Sequence, residues 1–258
     1  VLVAGMFLAF KSINAGAKTP VNPPSKYEQI MKLVGEMLSQ GHYSPQDIND
    51  AFSQKVFAKY MKELDPEKNF FLKGDLDALK KFETRVDDEI KGAPVEFFLA
   101  AGKTFTTRME QASAIVNEFL TKPFDFTVDE EVMLDADKLQ YPATEKEIKE
   151  RWRKKLKYMT LERYADLLDT RDKNKGKEGF VVKTDEELEK EAREKVKRIM
   201  DRTFERYRFK FSDDDKFNLY VNAITTTMDP HTEFFPPVDK RYFDEEMSGR
   251  FYGIGASL

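Results

Sequence analysis

Few side chains in this sequence could do chemistry. Its 258 residues include no cysteine and only two histidines, which excludes thiolate nucleophiles, Cys-ligated zinc, iron–sulfur clusters and disulfide scaffolds. The histidines, His42 and His231, stand in no spacing that would bring two imidazoles to one metal ion. His231 follows Asp229 and Pro230 and precedes Thr232. That order could be drawn as a carboxylate orienting a base beside a hydroxyl, but Pro230 imposes a turn, and local hydrogen bonding at a corner is the preferred reading. His42 follows Gly41, where an imidazole meets the last carbonyls of a helix.

Carboxylates come in runs. Asp129, Glu130 and Glu131 lack the alternating ligands and the glycine of a calcium loop. Asp213, Asp214 and Asp215 follow Ser212 at a helix start, where negative charge complements the helix dipole. There is no glycine-rich phosphate loop, and Gly253 with Gly255 is too short a signal to count as one. The basic stretch from Lys146 to Lys157 is interleaved with Glu147 and Glu150, so it reads as a salt-bridged helix face and not as a nucleic-acid patch. The expectation is therefore no catalytic set, no cofactor, no metal and no nucleic-acid partner.

Those residues must be positioned by helices. Charged residues make up 35% of the chain, against about 25% on average, and the formal net charge is only −4. Glycine and proline are scarce, while 22 Phe, 10 Tyr and 10 Met supply ample core. The length suits one large or two small domains. Ser25 with Glu28, Thr144 with Glu147, Thr184 with Glu187 and Ser212 with Asp215 each have the form of a helix-starting capping box or cap. Ser44 and Pro45 read as another helix start, with Ile48, Phe52, Val56, Tyr60 and Leu64 along one face. Leu76 to Ile90 and Phe98 to Leu120 read as two further helices, and Arg171 to Gly179 as a surface loop. The fold class expected is all-α, with at least seven helices.

The two ends read differently. Val1 to Phe10 is apolar and too short to span a bilayer; with Ala15, Gly16 and Ala17 after it, residues 1–17 read as a truncated signal peptide or a membrane leader. Residues 18–24, with three prolines, are a linker. Phe251 to Leu258 alternates bulky and small residues like a strand.

One motif repeats. Asp65, Pro66, Phe70, Phe71 and Asp75 recur at the same spacing as Asp229, Pro230, Phe234, Phe235 and Asp239. Each set predicts a sharp helix stop, because proline disfavours helical geometry in the residue before it. Two aromatics then plug the core, and an aspartate caps the next helix.

Taken in order, the stretch from Ala51 to Tyr60, then Lys122 to Phe126, Met228 to Pro236, and finally Phe243 to Ser248 with Gly253 to Ala256, resembles the N-terminal region of tail-specific, or C-terminal-processing, serine proteases of the periplasm. The resemblance implies a helical N-terminal domain over residues 25–248 and the first strand of a PDZ domain over 249–258. It implies a Ser nucleophile and Lys base further along, so that this stretch alone is inactive. Asp229, Pro230, His231, Thr232, Gly253 and Gly255 are then family-motif residues with a structural role. The implied partners are protein or peptide substrates with exposed C-termini and an adaptor protein, with membrane contact only through an uncleaved leader. The Lys- and Gly-rich stretch at 171–179 departs from the family pattern. The competing reading is a free-standing helical protein-binding module of the cell envelope with no enzymatic activity.

Overall fold

The computed structural model describes residues 25–236. The leader, the linker, Asp239, the PDZ-like strand, Gly253 and Gly255 lie outside the described residues. Within them all regular structure is helical, as the sequence leads one to expect: α1 (Lys26–Glu36), α2 (Asp50–Leu64), α3 (Lys73–Leu79), α4 (Val86–Ile90), α5 (Phe97–Phe119), α6 (Glu145–Asn174), α7 (Asp185–Lys210) and α8 (Asp213–Met228). A π turn (Met37–Gly41) extends α1, and a 3-10 turn (Lys80–Phe82) follows α3.

The caps explain most boundaries. Ser25, Thr184 and Ser212 accept from the third helical N–H, and Glu28, Glu187 and Asp215 reach back to the cap residue. Thr144 accepts from Glu147 N, but the Glu147 carboxylate reaches Ala143 N instead. Three sequence expectations need correction. Ser44 and Pro45 do not open α2. It begins at Asp50, capped by Asn49, whose side chain accepts from Phe52 N, because Gln46 bonds the last carbonyls of α8 and His42 bonds Thr232 just past it. The segment from Leu76 to Ile90 is not one helix. It breaks at Glu83 to Arg85, and the re-aimed α4 buries Asp87 and Glu89 as well as Val86 and Ile90, which a single straight amphipathic helix would not do. The loop expected over 171–179 begins only at Lys175, because α6 runs on to Asn174; Arg171 bonds Asp185 at the start of α7 across the turn, and Gly176 and Gly179 take positive φ.

Ties at their ends set the helix directions. At one end of α1 the Tyr27 hydroxyl donates to Asp214 at 2.7 Å and its ring lies 4.7 Å from that of Phe217; at the other, His42 meets Thr232. So α1 and α8 run parallel. α2 runs antiparallel to α8, since Gln46 lies at Met228 and Tyr60 packs on Tyr220 at 5.2 Å. α6 and α7 form an antiparallel hairpin packed on α5. The core is aromatic: Phe57 stacks on Phe97 at 5.0 Å, and Phe97 meets the edge of Tyr220 at 5.5 Å.

One close approach fixes α1 against α4. A Cβ on Gly35 would lie 2.6 Å from Ile90 Cγ2 and 2.9 Å from the Ile90 carbonyl oxygen. Gly35→Ala is expected to destabilise the domain by about 1–3 kcal/mol despite its gain in helix propensity, read as a lower urea midpoint at unchanged m-value.

Candidate functional site

The corner after α8 gathers most of the residues singled out from sequence. Met228 ends the helix, and Asp229 is its C-cap, with the backbone N–H donating to Thr225 O. Proline at 230 cannot follow in helical geometry without a clash, so the chain turns. Asp229 Oδ1 accepts from His231 N at 2.7 Å, and Thr232 N donates to Asp229 O at 2.9 Å. These two bonds close the turn locally. His231 is exposed and does not meet a hydroxyl nucleophile; the imidazole at Thr232 is that of His42.

His42 Nε2 lies 3.0 Å from Thr232 Oγ1, the distance of a base and a nucleophile. The tautomer decides what the pair can do. His42 Nδ1 faces the backbone N–H of Ser44 at 3.1 Å, and an amide N–H can only donate, so Nδ1 is the unprotonated nitrogen. The neutral ring therefore carries its proton on Nε2 and donates to Thr232. A general base needs the opposite arrangement, with a lone pair aimed at the hydroxyl. The pair thus joins the α1–α2 connection to the corner and does not activate Thr232.

Two residues that sequence reasoning missed complete the joint. The Gln46 side-chain amide donates to the carbonyls of Thr227 (3.1 Å) and Met228 (2.5 Å), satisfying groups that the end of a helix leaves without partners. Asn222, on α8, accepts from Phe234 N at 2.8 Å and donates to Phe234 O at 3.1 Å, holding the chain after the corner as a neighbouring strand would. A single Gln or Asn carries no spacing signal; only the closeness of the Asp-Pro stop to Phe234 pointed here.

The echo at Asp65 is built differently. Asp65 is buried, at 1% exposure, and its carboxylate accepts from the N–H groups of Asn69, Phe70 and Phe71 at 2.8–3.0 Å. Burial pushes its pKa up, and those three donors and the nearby Arg151 guanidinium oppose the rise. Phe70 and Phe71 are buried as expected, whereas Phe234 is half-buried and Phe235 is 41% exposed. Phe234 still packs against the edge of the core, so both aromatics are fully buried in the first copy only and one of them is half-buried in the second. Asp75 sits in the first turn of α3, where it accepts from Leu72 N and from Arg108.

The acidic and basic runs are also structural. Arg153 and Lys157 both pair with Glu130, Lys157 also donates to Val128 O at 2.9 Å, and Arg151 donates to the carbonyls of Lys68 and Gln140. They bind the irregular segment between α5 and α6 onto α6, and Arg151 also ties the turn after α2 to it. The two cations hold the Glu130 carboxyl down to about 2. Because that pKa lies below the unfolded one, the stability this group contributes is present above the ordinary carboxylate range and lost as pH falls toward 2. Glu130→Gln is therefore expected to lower stability at neutral pH and to make the loss on acidification shallower, as read from thermal midpoints across a pH series. Among the described residues no group of three or more His, Asp or Glu side chains is placed to hold a metal ion.

Comparison with known proteins places these observations. The description of the "Tail specific protease N-terminal domain" family matches residues 34–238, a span that runs from α1 through the corner. The chain is also 25% identical over 222 residues to a protein named tail-specific protease from Haemophilus influenzae, covering 86% of this chain and 29% of that relative. The chain thus spans less than a third of the length of this curated relative.

Proposed function

Since the chain belongs to the tail-specific protease N-terminal domain family, we propose that it is the non-catalytic helical frame of a periplasmic serine endopeptidase that processes or degrades envelope proteins from their C-termini. Its substrates are proteins or peptides with exposed C-termini, and an adaptor protein is a further partner. The nucleophilic Ser and its Lys base lie in other parts of that protease, where burial can bring the Lys pKa toward neutrality. In this reading the frame's task is geometric. The motif residues Asp229, Pro230, His231 and Thr232 form the joint that aims the chain toward a PDZ domain beginning near Gly253 and Gly255, and such a domain takes a substrate C-terminus by strand addition.

The observation that carries this reading is the corner itself. His42, Gln46 and Asn222 anchor it from two separate chain segments, yet the His42 tautomer leaves Thr232 unactivated. The test is made in the full-length protease with Asn222→Ala and Thr232→Val combined. Labelling of the nucleophile by a small serine-directed phosphonate should persist, while turnover of an unfolded polypeptide tail falls, because only the tail must pass through the framed path. Loss of labelling to the level of a Ser-deleted enzyme would show that the corner belongs to the catalytic machinery and overturn the reading.

A further inference from the structure

A groove of about 370 Å³ lies between α6 and α7, where they meet the turn after α2. Met159, half-buried on α6, and Ile199, 38% exposed on α7, line it together with the buried Met200 and Phe204. A space of this size takes one or two large side chains of a ligand. Methionine adapts to apolar groups of different shape, so the lining sets a chemical class and not one sequence.

The polar groups of the groove are unequally used. Its two carboxylates are occupied: Asp65 accepts from three backbone N–H groups, and Glu67 Oε2 accepts from the Asn69 amide at 2.7 Å and from the Lys155 ammonium. Arg206 has no such partner. Its guanidinium lies 5.8 Å from the centroid of the Tyr207 ring and pairs with no carboxylate among the described residues. Arg202, ~6 Å earlier along α7, is exposed and likewise unpaired. The groove therefore offers cations without acceptors beside an apolar floor.

Spacing selects the form of ligand that suits both. Alternate side chains of an extended chain lie on one side, about 6.6 Å apart, close to the ~6 Å between Arg202 and Arg206. The side chains between them turn the other way, toward Met159 and Ile199. We propose that this groove is a peptide site, taking an extended polypeptide stretch in which carboxylate side chains alternate with large apolar ones. The carboxylates meet Arg202 and Arg206 in charge-assisted hydrogen bonds, and an intervening apolar side chain fills the space at Met200 and Phe204. The site is separate from the corner, since the turn after α2 lies at the opposite end of that helix from Gln46. It recognises side chains within a polypeptide and needs no free C-terminus. Only the origin of the peptide, an unfolded protease substrate, rests on the proposed function; binding is a property of this chain.

The test is fluorescence anisotropy with the 258-residue chain, whose helices from α1 to α8 contribute to one core. The probe is a fluorescein-labelled decapeptide of alternating Glu and Leu, amidated at its C-terminus. Binding should saturate below about 1 mM, and replacing every Glu by Gln, or every Leu by Ser, should weaken it at least tenfold. Arg206→Gln should weaken it roughly tenfold, and Ile199→Ser roughly threefold. Lys55→Gln removes an equally exposed and unpaired cation ~15 Å back along α2 from Asp65, and it should leave the Kd unchanged. No saturation by that concentration, an unchanged Kd for Arg206→Gln, or equal losses for Arg206→Gln and Lys55→Gln would each overturn the proposal. So would equally tight binding of the Gln or the Ser peptide. A failure of any of these leaves the protease reading standing, because that reading is tested by labelling and turnover in the full-length enzyme.

Discussion

Asp65→Ala should remove about 3–5 kcal/mol of stability. The carboxylate is 1% exposed and accepts three backbone N–H bonds in the turn after α2. Alanine would leave those buried donors without an acceptor, and the turn places Phe70 and Phe71 in the core, where Phe70 meets the edge of Phe105 at 5.1 Å. The turn is also where α6 is attached: Trp152 donates to Asn69 O at 3.0 Å and Arg151 to Lys68 O at 2.8 Å. Asp65→Asn keeps the size and one accepting oxygen, so it should cost less. The pair also separates charge from shape. Burial raises the folded-state pKa of Asp65, so this group's contribution is greatest at pH values below the ordinary carboxylate pKa and declines as pH rises through the folded value. The Asn variant should lack that slope. Equilibrium denaturation of both variants at two pH values checks each statement.

Glu89→Ala is expected to have an effect of the same order, about 3–5 kcal/mol, for a related reason. Glu89 is 3% exposed and accepts from Glu96 N and Phe97 N, both at 2.9 Å, and from the Tyr220 hydroxyl at 2.7 Å. One carboxylate thereby caps the start of α5 and ties α4 to α8, with the charge placed where a helix N-terminus favours it. Burial pushes its pKa up against those donors. Tyr220→Phe removes only the hydroxyl from a side chain that stays packed against Tyr60 and Phe97. A double-mutant cycle between Glu89 and Tyr220 should give a coupling of about 1–3 kcal/mol. Additive effects would mean that the two groups do not share a bond.

These two carboxylates show where sequence reading stops. The helix starts were legible because a capping box is local: Ser25 and Glu28, or Thr184 and Glu187, need only each other and the backbone between them. The stops at Asp65 and Asp229 were legible because proline acts on its neighbour. Glu89 was not, since it falls within a periodic apolar stretch that reads as one helix, and its partners include Tyr220, which is 131 residues away. The corner was half legible. Its Asp-Pro turn is written in the sequence, but its anchors depend on tertiary contacts, with His42 190 residues from Thr232 and Gln46 182 from Met228. The misplaced start of α2 has the same cause: Ser44 and Pro45 carry a helix-opening pattern, and the bonds from His42 to Thr232, just past α8, and from Gln46 to the last carbonyls of α8 keep that stretch out of helix.

The central claim is that this domain frames a protease without performing its chemistry. The most direct measurement is hydrolysis of an unstructured polypeptide with a free C-terminus by the purified 258-residue chain, run beside the full-length protease at equal concentration. The account predicts a cooperatively folding helical protein with no turnover above a buffer blank, while the full-length enzyme cleaves the same substrate. Turnover by the chain alone that survives further purification and is lost on His42→Ala would contradict it, because that result would place a working base at a nitrogen the structure assigns to holding a turn.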